Sequence, residues 1–175
     1  MLWLAGGVRR LADPNAAWAG DHGAPDADVR AALSRAAAGD QSEYLTAVAV
    51  LCGARLLLPV VAEGDEGADG PDPDRHAELA AVLMTSASGR RGVLAFTGAD
   101  SLRAFDPQAR PVPCTLDTVA ATAKELGAAA IVFDVAGPHA LIIEAPLIAP
   151  LAAGHRLVAL EDGWGWLSAH PTEQK

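Results

Sequence analysis

The chain has 175 residues, 51% hydrophobic and 20% charged, with 13 Lys+Arg against 22 Asp+Glu for a formal charge of −9. That length suits one core, the apolar content exceeds that of an acidic disordered chain, and the charge excludes an electrostatic nucleic-acid binder, which needs a basic surface. Aromatic residues are only 5%, so the core is expected to consist of aliphatic and small side chains.

Residues 1–17 are expected to form an N-terminal arm. The run MLWLAGGVRRL puts its apolar residues ahead of its arginines, the reverse of a signal peptide. Up to about residue 25 neither helical nor strand periodicity is present, and Trp3 and Trp18 are expected to pin the arm. From Asp26 onward, Val29, Leu33, Ala36 and Ala37 recur at helical spacing, with Asp26 or Asp28 as cap and Gly39 as stop. Asp40 and Glu43 make a capping pair for a second helix carrying Tyr44, Leu45, Val48 and Leu51 and ending at Gly53, so an αα-hairpin leads the fold.

ARLLLPVV at 54–61 reads as a buried strand, with Pro59 expected at an edge or a bulge because it has no amide donor. EGDEGADGPDPD at 63–74 is too polar and too rich in Gly and Pro to repay ordering and reads as a mobile loop. ELAAVLMTSA at 78–87 and GVLAFT at 92–97 read as a hairpin around Gly89. Thr97 with Asp100 is expected to cap a short helix, ADSLRAF, and DPQARPVP to continue as an extended segment. Thr115 is expected to cap a helix with Leu116, Val119, Ala120, Ala123 and Leu126 on one face. The strands AAIVFDVAG and ALIIEA flank a Gly137-Pro138 turn, and a helix starting near Pro146 follows.

This order predicts an α+β fold: a mostly antiparallel or mixed sheet of about five strands, helices packed mainly on one face, and an N-terminal αα-hairpin. One domain is expected over 18–153, with 154–175 as a tail able to add an edge strand near Leu157–Leu160. No GxGxxG follows a strand, so a doubly wound dinucleotide fold is not expected. The longest apolar tract, 47–62, contains Gly53, Arg55 and Pro59 and is too short to span a bilayer.

Chemistry-bearing patterns are sparse. His76-Ala77-Glu78 with Pro113-Cys114 echoes the zinc deaminase pattern, but Asp117 stands where its second cysteine belongs, and the stretch after Ala77 alternates as a strand does. The carboxylates of 63–74 lack the order of a calcium loop. The histidines, His22, His76, His139, His155 and His170, form no HExxH and no i, i+4 pair. Cys52 and Cys114 form no CxxC, which makes a reducing cytoplasm the simplest compartment. Cys114 lies ahead of a helix start that could lower its pKa, although an inert buried thiol is the better expectation.

The segment AFTGADSLRAFDPQARPVP, 95–113, has the most character. It holds two of the three phenylalanines, Phe96 and Phe105, and then Pro111 and Pro113, which preset an extended backbone suited to docking. The competing expectation is that Phe96, Leu102 and Phe105 simply fill the core. With its preceding hairpin, HAELAAVLMTSASGRRGVLAFTGADSLRAFDPQARPVP, this stretch resembles the central part of SseB-type domains, the N-terminal domain of enhanced serine sensitivity proteins. AGDHGAPDADVRAAL, ARLLLPVVA and GAAAIVFDVAGPHALII are similar to the family's flanking blocks, so the likeness covers roughly 18–153. Gly98 stands where the family often has serine, and Phe105 where it often has tryptophan.

The resemblance implies a single-domain bacterial member with a cytoplasmic regulatory or scaffold role. The leading expectation is a non-catalytic protein-binding domain, its surface near Thr97, Asp100, Phe105 and Pro111, meeting a protein partner that is basic. No cofactor, metal, nucleic acid or membrane is expected. A second expectation is a small-molecule sensor or enzyme with a pocket over the sheet, drawing on Cys114, His76 and Glu78. A third is a homo-oligomeric scaffold assembled through an exposed sheet edge.

Overall fold

The computed structural model describes residues 18–62 and 79–168. The N-terminal arm, the acidic loop with His76 and Glu78, and the last seven residues lie outside the described residues. Two helices open the fold, α1 (Ala27–Ala38) and α2 (Gln41–Leu51). Asp26 accepts from the amides of Asp28 and Val29, and Asp40 from those of Ser42 and Glu43, which satisfies donors that a helix start leaves orphaned. Gly39 joins them where a Cβ would lie 2.7 Å from the Arg35 carbonyl oxygen and from Glu43 Cβ. Only glycine permits so close a turn.

The strands and remaining helices follow as β1 (Leu56–Ala62), β2 (Leu79–Ala81), β3 (Leu83–Thr85), β4 (Arg91–Ala95), α3 (Ala99–Phe105), β5 (Arg110–Cys114), α4 (Leu116–Glu125), β6 (Ala130–Phe133), β7 (Leu141–Glu144), α5 (Ala145–Ala152), β8 (His155–Leu160) and β9 (Gly163–Ser168). One sheet has the order β2-β1-β5, a second β3-β4-β6-β7, and β8-β9 forms a third. All neighbours are antiparallel except β4 and β6, which run parallel, so the fold is α+β with mixed sheets. Leu57 and Phe96 exchange backbone hydrogen bonds of 2.8 and 2.9 Å, joining the first two sheets.

The stretch expected to be one strand over 78–87 divides at Val82. Its N–H donates to the Pro59 carbonyl at 3.3 Å, whereas its own carbonyl accepts from Leu94 N–H at 3.2 Å. The chain therefore pairs with β1 before this point and with β4 after it. Pro59 consequently sits in the central strand of its sheet rather than at an edge or bulge. Its missing donor falls where the neighbouring carbonyl has turned to another strand, and on the other side it faces Pro111, which has no donor either.

Side chains alternate across the sheets with period two. Leu56, Leu58, Val93, Ala95, Ile131, Phe133, Leu141 and Ile143 point into the main core beneath α1, α2, α4 and α5. Leu57, Leu94, Phe96 and Val132 point the other way into a smaller core with Ala99 and Leu102 of α3. Four helices thus cover one face and, among the described residues, α3 alone covers part of the other. Among the described residues the tail adds no strand to the two larger sheets. It folds back as β8–β9 and inserts Leu157, 5% exposed, into the main core.

Two expected caps differ. The N-cap of α3 is Gly98, and the Thr97 hydroxyl is engaged elsewhere. Thr115 does occupy the N-cap of α4, but its side chain makes no capping bond and lies 3.2 Å from the Thr118 hydroxyl instead.

Candidate functional site

The C-terminal ends of the parallel strands β4 and β6 lie side by side, and the residues that follow them build the most polar buried feature among the described residues. Asp134 follows β6, is fully buried, and adopts a left-handed φ of 47°. Its Oδ1 accepts from Thr97 N at 2.9 Å and from the Ser101 hydroxyl at 2.6 Å, and its Oδ2 accepts from the Thr97 hydroxyl at 2.5 Å. Arg30 of α1 completes the set: Nε lies 3.6 Å from Asp134 Oδ2 and donates to Thr97 Oγ1 at 2.7 Å, while Nη2 pairs with Asp100 Oδ1 at 2.7 Å.

A second arginine binds the lead-in chain to the same place. Arg55 Nε meets Asp21 Oδ2 at 2.7 Å, and its other nitrogens donate to the carbonyls of Thr97 and Ala24. Gly23, at φ 73°, receives the Ala99 N–H on its carbonyl at 2.7 Å. The segment directly before α1 is held by Asp21, Gly23 and Ala24; Trp18 is half-buried, and Trp3 with the rest of the arm lies outside the described residues. No buried side-chain nitrogen or oxygen among the described residues lacks a partner. The arrangement is a saturated clasp that closes the α1 end of the chain over the sheet.

Gly98 fits this clasp. A Cβ there would come within 2.4 Å of Asp100 Oδ1, 2.9 Å of Pro25 Cβ and 3.0 Å of Arg30 Nη2, so a serine would displace the Arg30–Asp100 pair.

The four residues expected on the binding surface separate by depth. Thr97 is 2% exposed and belongs to the clasp, where it supports α3 from below. The Asp100 side chain is 55% exposed beside Arg30. Phe105 is 37% exposed at the end of α3, its ring centroid 5.6 Å from that of Phe96, which is fully buried. Leu102, also buried, and Phe96 fill the smaller core, while Phe105 lies over it facing solvent. Pro111 is exposed on β5. Pro111 and Pro113 border a shallow hollow of about 140 Å³ with His22 of the lead-in chain and Arg103 of α3.

The edge of β5 is chemically one-sided. Leu57 spends both backbone groups on Phe96, so its register partner Pro113 must face away from β1, and Pro111, two residues back, does the same. At these positions the edge presents carbonyls and no N–H.

Cys114 is 7% exposed, and burial pushes its thiol up to about 12 despite the helix start that follows it. Cys52 is also raised, first by burial and further by Asp117, while the Leu157 backbone N–H and Arg156 oppose the shift. Both thiols are protonated at neutral pH. Iodoacetamide is expected to modify the native protein slowly at both positions, slowest at Cys114, and to modify both promptly in denaturant; fast native labelling of Cys114 would contradict its burial. Over the open face of the second sheet, Met84, Gly92, Val132 and Ile142 line a depression of about 200 Å³.

Sequence reasoning missed Asp134, Arg30, Arg55 and Ser101. The one local signal was an aspartate ending an aliphatic strand in IVFDVAG; its hydrogen-bonding partners lie 33 to 37 residues away, and Arg30 lies 67 residues from Thr97.

A family model, SseB protein N-terminal domain, matches residues 29–150. No curated protein and no solved structure matches the chain.

Proposed function

The chain belongs to the family of SseB protein N-terminal domains, and from that membership and its surface we propose a non-catalytic, cytoplasmic regulatory domain that binds another protein across the face formed by α3 and β5. The observation that carries this reading is Phe105. Packed at a tilt against the buried Phe96 yet one-third exposed, it is an aromatic anchor already in contact with the core, so little rotamer entropy is lost when a partner covers it. Beside it, the hollow between His22, Arg103 and Pro111 offers a seat for one side chain.

The partner that fits is an extended, basic segment. The chain carries a formal charge of −9, and the β5 edge offers carbonyl acceptors at Pro111 and Pro113 that suit the many donors of arginine and lysine. Strand addition at this edge is disfavoured by the same two prolines.

The test is affinity capture with the full chain, identification by mass spectrometry, and titration of the captured protein against wild type and Phe105→Ala. Phe105→Ala is expected to weaken binding on the order of 30-fold, the cost of truncating an anchor worth about 2 kcal/mol. Equal affinity for both forms would remove this face from the interaction.

A further inference from the structure

The β8–β9 hairpin ends in a six-residue edge strand, the longest edge strand without proline or charge among the described residues. Two edges of the larger sheets are blunted, β5 by Pro111 and Pro113 and β7 by the Tyr44 hydroxyl, which donates to the Ile142 carbonyl at 3.0 Å, and the other two, β2 and β3, are only three residues long. Strand β9, GWGWLS, contains neither charge nor proline, and among the described residues no strand pairs with its outer side. Which of its groups face outward follows from the ladder. The two-residue turn Glu161-Asp162 closes on the Leu160–Gly163 pair, which in such a hairpin is the hydrogen-bonded pair. The backbone groups of Gly163, Gly165 and Leu167 therefore face β8, and those of Trp164, Trp166 and Ser168 face out. Three of the large apolar side chains exposed among the described residues also sit here: Leu160 at 59%, Leu167 at 58% and Trp166 at 38%.

We propose that the outer edge of β9 pairs antiparallel with the same edge of a second copy of this chain, forming a four-stranded β8–β9–β9–β8 sheet about a two-fold axis at Trp166. The register follows from the outward-facing groups: Trp166 opposes its own counterpart and Trp164 opposes Ser168. Charge selects a second copy as occupant. The hairpin is acidic at its turn, with Glu161 and Asp162, and basic at its open end, with His155 and Arg156. Antiparallel pairing brings the acidic end of each copy toward the basic end of the other. The contact is isologous, so it closes at two copies and does not propagate. It is independent of the α3–β5 reading, since it uses neither element.

Sedimentation velocity on the full chain at micromolar concentration tests this. Wild type is expected at twice the single-chain mass. Trp166→Pro removes a donor that the β8 ladder does not use, so it is expected to run as a folded single chain, with Trp166→Phe still dimeric. Glu161→Lys with Asp162→Lys is expected to weaken dimerisation at least about tenfold, and adding Arg156→Glu to restore part of it. Single-chain mass for wild type at every concentration, an undiminished dimer in Trp166→Pro, or crosslinks from β9 to residues 1–17 of the same chain in place of crosslinks between copies would each overturn the proposal.

Discussion

Asp134→Ala is expected to destabilise the protein by about 3–5 kcal/mol, the usual cost of removing one partner from a buried charged pair. The Thr97 amide and the Thr97 hydroxyl lose their acceptor, and the Ser101 hydroxyl loses the shorter of its two contacts, keeping the Gly98 carbonyl at 3.0 Å. Arg30, whose side chain is 19% exposed, keeps only Asp100 as a carboxylate partner. The backbone adds to the loss, because alanine tolerates a φ of 47° poorly, whereas Asp and Asn can adopt it. Asp134→Asn is therefore expected to recover part of the loss, keeping the backbone conformation and one acceptor oxygen. Urea unfolding would report the change as a lower midpoint at unchanged slope. A loss below about 1 kcal/mol would mean the clasp behaves like a solvated surface pair.

Phe96→Ala and Phe105→Ala are expected to part company. Phe96 is fully buried in the smaller core, and truncating it should cost about 3–5 kcal/mol through lost transfer energy and an incompletely collapsed cavity. Phe105 is 37% exposed, so its truncation should cost only about 1–2 kcal/mol of stability, mostly lost contact with the Phe96 ring. The double-mutant cycle should give a coupling of about 0.5–1.5 kcal/mol, as expected for tilted rings 5.6 Å apart. Equal destabilisation by the two single substitutions would make Phe105 a core residue and remove the main support for a docking face on α3. A small effect of Phe105→Ala on stability also licenses its use in binding measurements, because the variant remains folded.

The clasp and the docking face divide the 95–113 segment between them. Thr97 and Ser101 turn inward to Asp134, and Phe105 and Pro111 remain outside. The inner residues fix where α3 lies over the sheet, and that position holds Phe105 against Phe96. Disruption of the clasp is thus expected to disturb the outer face as well.

Local patterns carried most of the elements. Asp26 and Asp40 lie two or three residues from the amides they cap, Gly89 needs only its own φ of 80° to close the β3–β4 turn, and the short apolar run GVLAFT marks a strand by its length and bounds. The family resemblance was likewise readable from blocks of consecutive residues. What the sequence by itself determined is this set of short-range features: element type, the Asp26 and Asp40 caps, and the tight turn at Gly89. The parallel pairing of β4 with β6, the division of one extended stretch between two sheets at Val82, the tolerance of Pro59 in a central strand and the burial of Asp134 were decided only by tertiary structure. Each depends on which carbonyl, amide or guanidinium arrives from a segment more than twenty residues away, or from the far side of a turn. Spacing along the chain does not encode those meetings, because they are set by the packing of whole elements.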